Sequence, residues 1–343
     1  MKKYLTTTFK VLIFLGIGVA LFWLAYRGQD FGKIMESLGN CRWSWVLLAL
    51  ALSIAGHYSR AVRWRLLLEP FGYSPRNINL FSSVMVMYLT NMAIPRSGEV
   101  VRCGVVSKYE KIPFARCLGT VVTERIADMV VLAVLAVIIF ATQGGVISGV
   151  LQNNPWVADQ LVRIKGYLPL IIAGLCVMAV LAVLAVRMVI RRNIFGIGAR
   201  LNDLVSNFKD GVLTIIRLER RTEFVLHSLF INFVYFYTIY LVFKAFPFCE
   251  ELSLMAALTV FVLGTFGVII PSPGGMGTWH FIVIELLALY GIQRDSDAGA
   301  YALVMHGIQD ILFIVAGFAA LMLMPVINNK YQPVVPDENT QEH

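Results

Sequence analysis

The chain has 343 residues, of which 58% are hydrophobic and only 15% are charged, and its mean hydropathy is +0.73. A soluble domain carries about 25% charged residues, so this composition excludes a soluble enzyme, a nucleic-acid-binding protein and a disordered chain. The apolar runs are long and continuous, which predicts an all-α, polytopic bundle of transmembrane helices. We attribute the net charge of +8 to basic cytoplasmic loops that face anionic lipid headgroups.

Runs of roughly 20 apolar residues predict the membrane spans. Basic residues precede the first run and no small-residue cleavage pattern follows it, so we expect a retained span with its N-terminus in the cytoplasm. The predicted spans are 9–27, 43–62, 114–142, 167–187, 224–247, 252–270 and 299–325. Two shorter apolar stretches, 77–95 and 279–292, bring the expected number of membrane segments to between seven and nine. Whether 252–270 and 279–292 cross the membrane or form a re-entrant pair stays open.

The loops predict the orientation of these spans. The stretches 60–116 and 187–221 contain nine and eight basic residues, which is typical of cytoplasmic loops. In the segments 27–42 and 143–167, basic residues barely outnumber acidic ones, so we expect these segments on the outer side of the membrane. Both termini are then cytoplasmic, in a multi-pass protein of the cell inner (cytoplasmic) membrane.

The apolar stretch 77–95 lies between two basic clusters that are both expected inside. It therefore cannot cross, and we predict a re-entrant hairpin whose tip or exit lies at Ile94 and Pro95. Irregular backbone at membrane depth is tolerated only where it is buried in protein or lines a cavity. A fold with one or two re-entrant elements thus predicts a polar site inside the bundle.

The linker 188–222 has apolar residues at helical spacing with basic residues among them. This pattern predicts an amphipathic helix on the inner membrane surface, between two halves of a single membrane domain, 1–330. The helix is either a covering connector or a direct binder of lipid headgroups. The remainder, 331–343, is expected to be a short cytoplasmic tail.

Two Pro-Gly breaks resemble each other. Residues 91–99 and 268–277 each read as an apolar run, then Ile-Pro, then a turn rich in small residues. Interrupted segments at corresponding positions of two halves indicate a transporter's substrate site. The similarity reflects either an inverted repeat or coincidence. The N–H groups of Gly274, Gly275 and Gly277 are candidate anion ligands.

The first break is followed by three charged residues. Arg96, Glu99 and Arg102 recur at every third position and share one helix face. An arginine fork suits a phosphate because it donates two hydrogen bonds at once, and Glu99 can orient the arginines or carry a proton. The alternative is an ordinary cytoplasmic loop.

Two further charged groups lie inside predicted spans, where ionisable residues usually face a polar pathway. Glu124, Arg125 and Asp128 lie about 15 Å into the 114–142 helix. They belong either to a translocation pathway or to a structural ion-pair cluster. His306 and Asp310, four residues apart, form either a proton relay or a structural pair. No motif calls for a cofactor, a metal or an enzymatic activity.

Four motifs occur in a recognisable order. They are 60–65, 95–102, 123–128 and 271–277. Together they resemble the flippase-like membrane region of lysylphosphatidylglycerol synthases, which also occurs as stand-alone proteins. The resemblance covers about residues 5–330. It implies an inner-membrane protein that moves, or helps to process, anionic or polyprenyl-linked lipids.

Two departures from that family pattern matter. The synthases carry a soluble aminoacyl-transferase domain after the membrane region, whereas here only a short tail is expected, so aminoacyl-lipid synthesis by this chain alone is not predicted. The family's Gly-Gly-x-Gly motif is often followed by a Glu where this chain has His280, and the nearest acidic residue downstream is Glu285.

The expected function is therefore the translocation of lipids with phosphate headgroups. Arg96, Arg102 and Arg125 would hold the phosphate, and the neighbouring carboxylates would balance them. One alternative is an enzyme, or an enzyme subunit, of lipid or lipid-linked glycan synthesis that uses Glu99 or Glu124 as its catalytic carboxylate. Another is an accessory protein that recruits partners through 188–222. A homo-oligomer and a partnership with a lipid-synthesis enzyme both stay open, and no nucleic-acid partner is expected.

Overall fold

The computed structural model describes residues 29–156, 198–268 and 272–334 without a break, and single positions elsewhere. The predicted spans 9–27 and 167–187 lie almost entirely outside the described residues. The described part contains helices and no strand, which confirms the all-α fold.

Eleven α-helices lie within the described ranges. They are α1 (Phe31–Gly39), α2 (Trp43–Leu68), α3 (Asn77–Ala93), α4 (Gly98–Glu110), α5 (Phe114–Thr142), α6 (Gly144–Asn153), α7 (Gly198–Arg217), α8 (Arg221–Ala245), α9 (Leu254–Gly267), α10 (Thr278–Leu289) and α11 (Asp297–Ile327). Short 3₁₀ turns lie at Glu69–Phe71, Pro247–Cys249 and Pro273–Gly275.

Four of these helices, α2, α5, α8 and α11, are long and apolar enough to cross a membrane. They confirm the spans predicted at 43–62, 114–142, 224–247 and 299–325. The span predicted at 43–62 was too short, because α2 continues to Leu68. Arg60 and Arg63 were assigned to a cytoplasmic loop, and this was wrong. Both are buried within α2, where carboxylates of α5 compensate their charges.

Helices α3 and α4 form the first helical hairpin. The arms pack closely, since a Cβ atom on Gly98 would lie 2.3 Å from the carbonyl oxygen of Met87. At the base, the backbone N–H of Arg76 and Nδ2 of Asn79 both donate to Oε1 of Glu110, at 3.2 and 2.5 Å. The chain therefore returns to the level at which it entered.

The tip of this hairpin is the break between α3 and α4, at residues 94–97. The sequence left open whether Ile94 and Pro95 lie at the tip of the hairpin or at its exit. In the structure they lie at the tip. The returning arm is α4, and it carries Arg102. The alternative for this segment, an ordinary cytoplasmic loop, was therefore wrong. Arg102 can lie inside the bundle because Glu124 compensates its charge.

Helices α9 and α10 form a second hairpin around the 3₁₀ turn Pro273–Gly275. With 14 and 12 residues, the arms are about 21 and 18 Å long, against a hydrocarbon core of about 30 Å. The sequence left open whether 252–270 and 279–292 cross the membrane or form a re-entrant pair, and the structure has the pair, with α9 as one arm of the hairpin. At the base, the hydroxyl of Tyr290 donates to Oε1 of Gln143 at 3.2 Å.

The two hairpins enter from opposite ends of the bundle. The second has its base at the C-terminal end of α5, beside Gln143, whereas the first ends four residues before α5 begins. The 29 residues of α5 separate these levels by about 43 Å. The tips meet between them, where Nη2 of Arg96 donates to the carbonyl oxygen of Val268 at 3.1 Å. Opposed hairpins of this kind are what an inverted repeat produces.

The base of the first hairpin contacts the segment that follows the C-terminal end of α11. The hydroxyl of Tyr331 donates to Oε2 of Glu110 at 2.8 Å, and the guanidinium of Arg76 lies 4.7 Å from the Tyr331 ring centroid. Burial, together with this carboxylate, raises the pKa of the Tyr331 phenol to about 12. The phenol therefore stays a hydrogen-bond donor over the physiological pH range.

Helix α7 occupies Gly198–Arg217 of the predicted amphipathic linker and packs on α5. The backbones are almost in contact where Gly119 crosses Gly211, because a Cβ atom on Gly119 would lie 2.3 Å from the carbonyl oxygen of Phe208. The hydroxyl of Thr123 donates to the carbonyl oxygen of Val212 at 2.9 Å. The outer side of α7 exposes apolar residues such as Ile216.

Candidate functional site

A buried carboxylate, Glu124 on α5, is the centre of an ion-pair cluster. It is 0% exposed and accepts hydrogen bonds from Nη2 of Arg63 at 3.0 Å and from Nη2 of Arg102 at 2.5 Å. The guanidinium of Arg102 also lies 4.5 Å from the centroid of the Trp64 ring, as in a cation–π contact. Glu124 therefore ties α2 and α4 to α5.

The second carboxylate of the cluster, Asp128, lies one helical turn further along α5. It accepts from Nη1 of Arg63 at 2.6 Å and from Nη1 of Arg60 at 3.4 Å. Arg125 lies 3.6 Å from Asp128 and donates to Glu99 at 2.9 Å. The cluster thus contains four arginines and three carboxylates, a net charge of 4 − 3 = +1.

Beside this cluster, a cavity of about 330 Å³ lies where the two hairpin tips meet. Seven helices and the Pro273–Gly275 turn contribute to its wall. The lining includes the polar residues Ser53, His57, Arg60, Tyr88, Arg125, Tyr235, Thr238, Thr265, His306, Gln309 and Asp310, together with Gly274. A polar cavity of this size inside an apolar bundle is a candidate ligand site.

One end of the cavity carries cationic and unpaired donor groups. The Arg60 side chain is 4% exposed, its Nη2 donates to the hydroxyl of Tyr235 at 3.2 Å, and its Nε has no hydrogen-bond partner within the described part of the chain. His57 is 2% exposed, and neither ring nitrogen has a partner among the same residues. The hydroxyls of Tyr235 and Tyr88 are 3.2 Å apart. This end is therefore suited to an anion.

The other end of the cavity carries a carboxyl group. Oδ2 of Asp310 lies 3.5 Å from Nε2 of His306, and Nε2 of Gln309 donates to Oγ of Ser53 at 2.7 Å. Ser53 and Arg60 are seven residues apart on α2, which separates the two ends by about 10 Å.

Four residues of the predicted site line the cavity: Arg125, Gly274, His306 and Asp310. The backbone at Gly274 has a φ of 61°, which favours glycine. The structure places the predicted proton-relay pair on the cavity wall. Whether the pair carries protons stays a prediction.

The remaining predicted residues lie around the cavity rather than on its wall. Arg102 and Glu124 are buried in the ion-pair cluster, Glu99 and Asp128 hold Arg125, and Arg96 spans the two hairpin tips. The backbone N–H groups of Gly275 and Gly277 donate within the second hairpin, to the carbonyl oxygen of Ser272 at 3.1 Å and to Nδ1 of His280 at 3.4 Å.

Sequence reasoning missed His57, Arg60, Tyr88 and Tyr235 as cavity residues. A signal for two of them was present, since His57 and Arg60 recur at helical spacing on one face of α2. The basic residues had been assigned to the loop after the span, which concealed this face. The two tyrosines carry no such signal, because only tertiary packing brings α3 and α8 together around α2.

A bundle of membrane helices with a polar, arginine-lined cavity between two opposed hairpins defines a polytopic membrane protein with a candidate ligand site among its helices. The chain belongs to the family of the lysylphosphatidylglycerol synthase TM region, which matches residues 9–317. The resemblance seen in the sequence is thereby confirmed, and the family indicates a function related to membrane lipids.

Two relatives illustrate the range of the family. The chain is 32% identical over 131 residues to the UPF0104 membrane protein MJ1595 of Methanocaldococcus jannaschii, which covers 37% of this chain and 38% of that protein. It is 24% identical over 324 residues to the glycosyltransferase AglD of Haloferax volcanii, which covers 87% of this chain and 51% of AglD. The chain thus spans about half, or less, of these relatives. No solved structure matches it.

Proposed function

We propose that the protein binds the headgroup of a phosphate-bearing membrane lipid in the central cavity and moves it across the cytoplasmic membrane, with both termini inside. The observation that carries this proposal is the cavity, which presents Arg60 and Arg125 at the meeting point of two hairpins from opposite sides. An intramembrane site that two opposed elements close is the arrangement that alternating access requires.

The lining of the cavity supports a phosphate ligand. The wall includes Arg60, whose Nε has no hydrogen-bond partner among the described residues, and His57, whose neutral ring donates from one nitrogen. The hydroxyl of Tyr88, on α3, is a further donor on the wall. Charge-assisted hydrogen bonds from such groups to phosphate oxygens are shorter and stronger than neutral ones. A volume of about 330 Å³ suits a headgroup, while the acyl chains stay in the surrounding lipid.

The hairpins supply the two gates. Movement of the first hairpin would open the cavity to the side of Arg76 and Glu110, and movement of the second would open it to the side of Gln143. The contact between Arg96 and the carbonyl oxygen of Val268 links the tips of the two hairpins in this state. Arg96 and Arg102 do not line the cavity, so their predicted phosphate contacts apply to a state in which the first hairpin has moved.

Transport of a fluorescent phosphatidylglycerol in reconstituted vesicles tests this function. Lysine at Arg60 or Arg125 keeps the charge but loses the planar fork. Since a hydrogen bond to a charged group contributes about 1.5–3 kcal/mol, each variant should lower transport or lipid affinity roughly tenfold or more. The matched controls are lysine at Arg200 and Arg217, which lie on α7 away from the cavity. Wild-type transport by both cavity variants would refute the proposal.

A second candidate is an enzyme, or an enzyme subunit, of lipid or lipid-linked glycan synthesis. The observation that favours it is the similarity of most of this chain to a protein named a glycosyltransferase. Glu124 is enclosed by two arginines and is unsuited as a base, which leaves Glu99, 24% exposed, as the candidate carboxylate. Product formation from purified protein, a labelled activated donor and a lipid acceptor, abolished by Glu99→Gln, would favour this activity.

A further inference from the structure

The charge of the cavity wall bears on which phosphate lipid fits. Each of the three carboxylates in the ion-pair cluster is paired with arginine, and one positive charge is left over. The two arginines that line the cavity, Arg60 and Arg125, present this excess to a ligand. One negative charge on the headgroup would neutralise it, and a second would have no counterpart.

The opposite end of the cavity disfavours a second anionic group. Asp310 is there, with Nε2 of His306 at 3.5 Å, and the described residues of the lining place no arginine or lysine at that end. A phosphate there would lie against a carboxyl group, and juxtaposed like charges disfavour binding strongly. Hydroxyl groups, by contrast, would find acceptors in Asp310 and in the amide of Gln309.

The unpaired donors at the arginine end match a single phosphate. Nε of Arg60 and the imidazole of His57, which in its neutral form donates from one ring nitrogen, are buried and have no hydrogen-bond partner within the described chain. Both residues lie on one face of α2, three positions apart. This suits the two unesterified oxygens of one phosphodiester and offers nothing to a second phosphoryl group.

We propose that the cavity selects lipids whose headgroup carries one phosphodiester, with a neutral or hydroxylated substituent beyond it, over lipids with a phosphomonoester or a diphosphate. The selection rests on the proposed lipid-binding function and deepens it. Phosphatidylglycerol and polyprenyl-phosphate sugars belong to the favoured class. Free polyprenyl phosphates and diphosphates belong to the disfavoured one.

Competition binding in a neutral maltoside detergent tests the selection with lipids that share the same acyl chains. The probe is a fluorescent phosphatidylglycerol, and the competitors are phosphatidylglycerol, phosphatidic acid and diacylglycerol pyrophosphate. The measurement is made at about pH 8, where a phosphomonoester with a second pKa of about 6 is dianionic. Phosphatidylglycerol should compete at least about tenfold better than either of the other two lipids, a difference of about 1.4 kcal/mol.

Charge variants show whether the cluster sets this preference. Glu99→Gln raises the net charge of the cluster from +1 to 4 − 2 = +2 while leaving the fully buried pairs in place. It should shift the ratio of affinities roughly tenfold towards phosphatidic acid, and Asp310→Asn should shift it in the same direction. The control is Glu36→Gln, an exposed acid on α1 that should leave the ratio unchanged.

The outcomes separate the two proposals. If wild-type protein binds phosphatidylglycerol and phosphatidic acid equally, or if Glu99→Gln leaves their ratio unchanged, the charge selection is refuted and the lipid-binding function stands. If none of the lipids binds, both are refuted.

Discussion

Replacing Glu124 with glutamine removes the carboxylate on which the ion-pair cluster converges. Arg63 and Arg102 lose their shared acceptor, and Arg60, at 3.9 Å, loses a nearby compensating charge. The net charge of the cluster rises from +1 to 4 − 2 = +2 in a site that is shielded from water. We therefore expect the main consequence of Glu124→Gln to be a loss of stability.

The magnitude follows from the burial. Removing one partner of a buried ion pair costs about 3–5 kcal/mol, because the remaining charge stays uncompensated. That corresponds to a roughly 10²- to 10⁴-fold change in the ratio of folded to unfolded protein. Arg102→Met in the same chain would return the net charge to 3 − 2 = +1, so the double variant should lose less stability than Glu124→Gln alone.

Thermal unfolding in detergent, followed by tryptophan fluorescence, measures the effect. The control is Glu223→Gln, whose partner Arg220 is also at the surface and whose side chain is 45% exposed, so little change is expected. A Glu124→Gln variant that unfolds at the wild-type temperature but no longer transports lipid would refute the structural role. It would favour a place for Glu124 in the translocation pathway.

Two further predictions concern the first hairpin. Single cysteines at Arg76 and Lys108 should react with an impermeant thiol reagent from the same side of the membrane. A cysteine at Glu251 should react from the opposite side. Labelling of positions 76 and 108 from different sides would contradict the hairpin. Gly98→Val should lower thermal stability, because its Cβ atom would meet a backbone oxygen of the facing arm at 2.3 Å, whereas Gly104→Val on the same helix has open space and should be tolerated.

The long membrane helices were predictable because their apolar runs are uninterrupted. Helix α5 begins and ends where the sequence predicts, and the charged residues within it were recognised as special because ionisable groups in a span are costly. The same reasoning located His306 and Asp310 on α11. Such residues are readable from the sequence because their position in an apolar run is itself the signal.

Pairings between helices were not predictable in this way. The sequence does not show that Arg102 forms an ion pair with Glu124 rather than a contact with a ligand, because the two residues lie on different helices. Segment 252–270 has the composition of a span, and only its packing beside α10 shows it to be a hairpin arm. Arg60 was misplaced for a related reason: a basic residue near the end of an apolar run reads as the start of a loop until its buried partner is known.

The crossing of Gly119 and Gly211 couples α7 directly to α5. Because the two backbones touch without an intervening layer of side chains, the helices cannot slide past each other and must move as one body. Glu124 lies only five residues beyond the crossing on α5. We therefore expect a displacement of α7 to move α5 with it, and with α5 the carboxylate of Glu124 that holds Arg102 of the first hairpin.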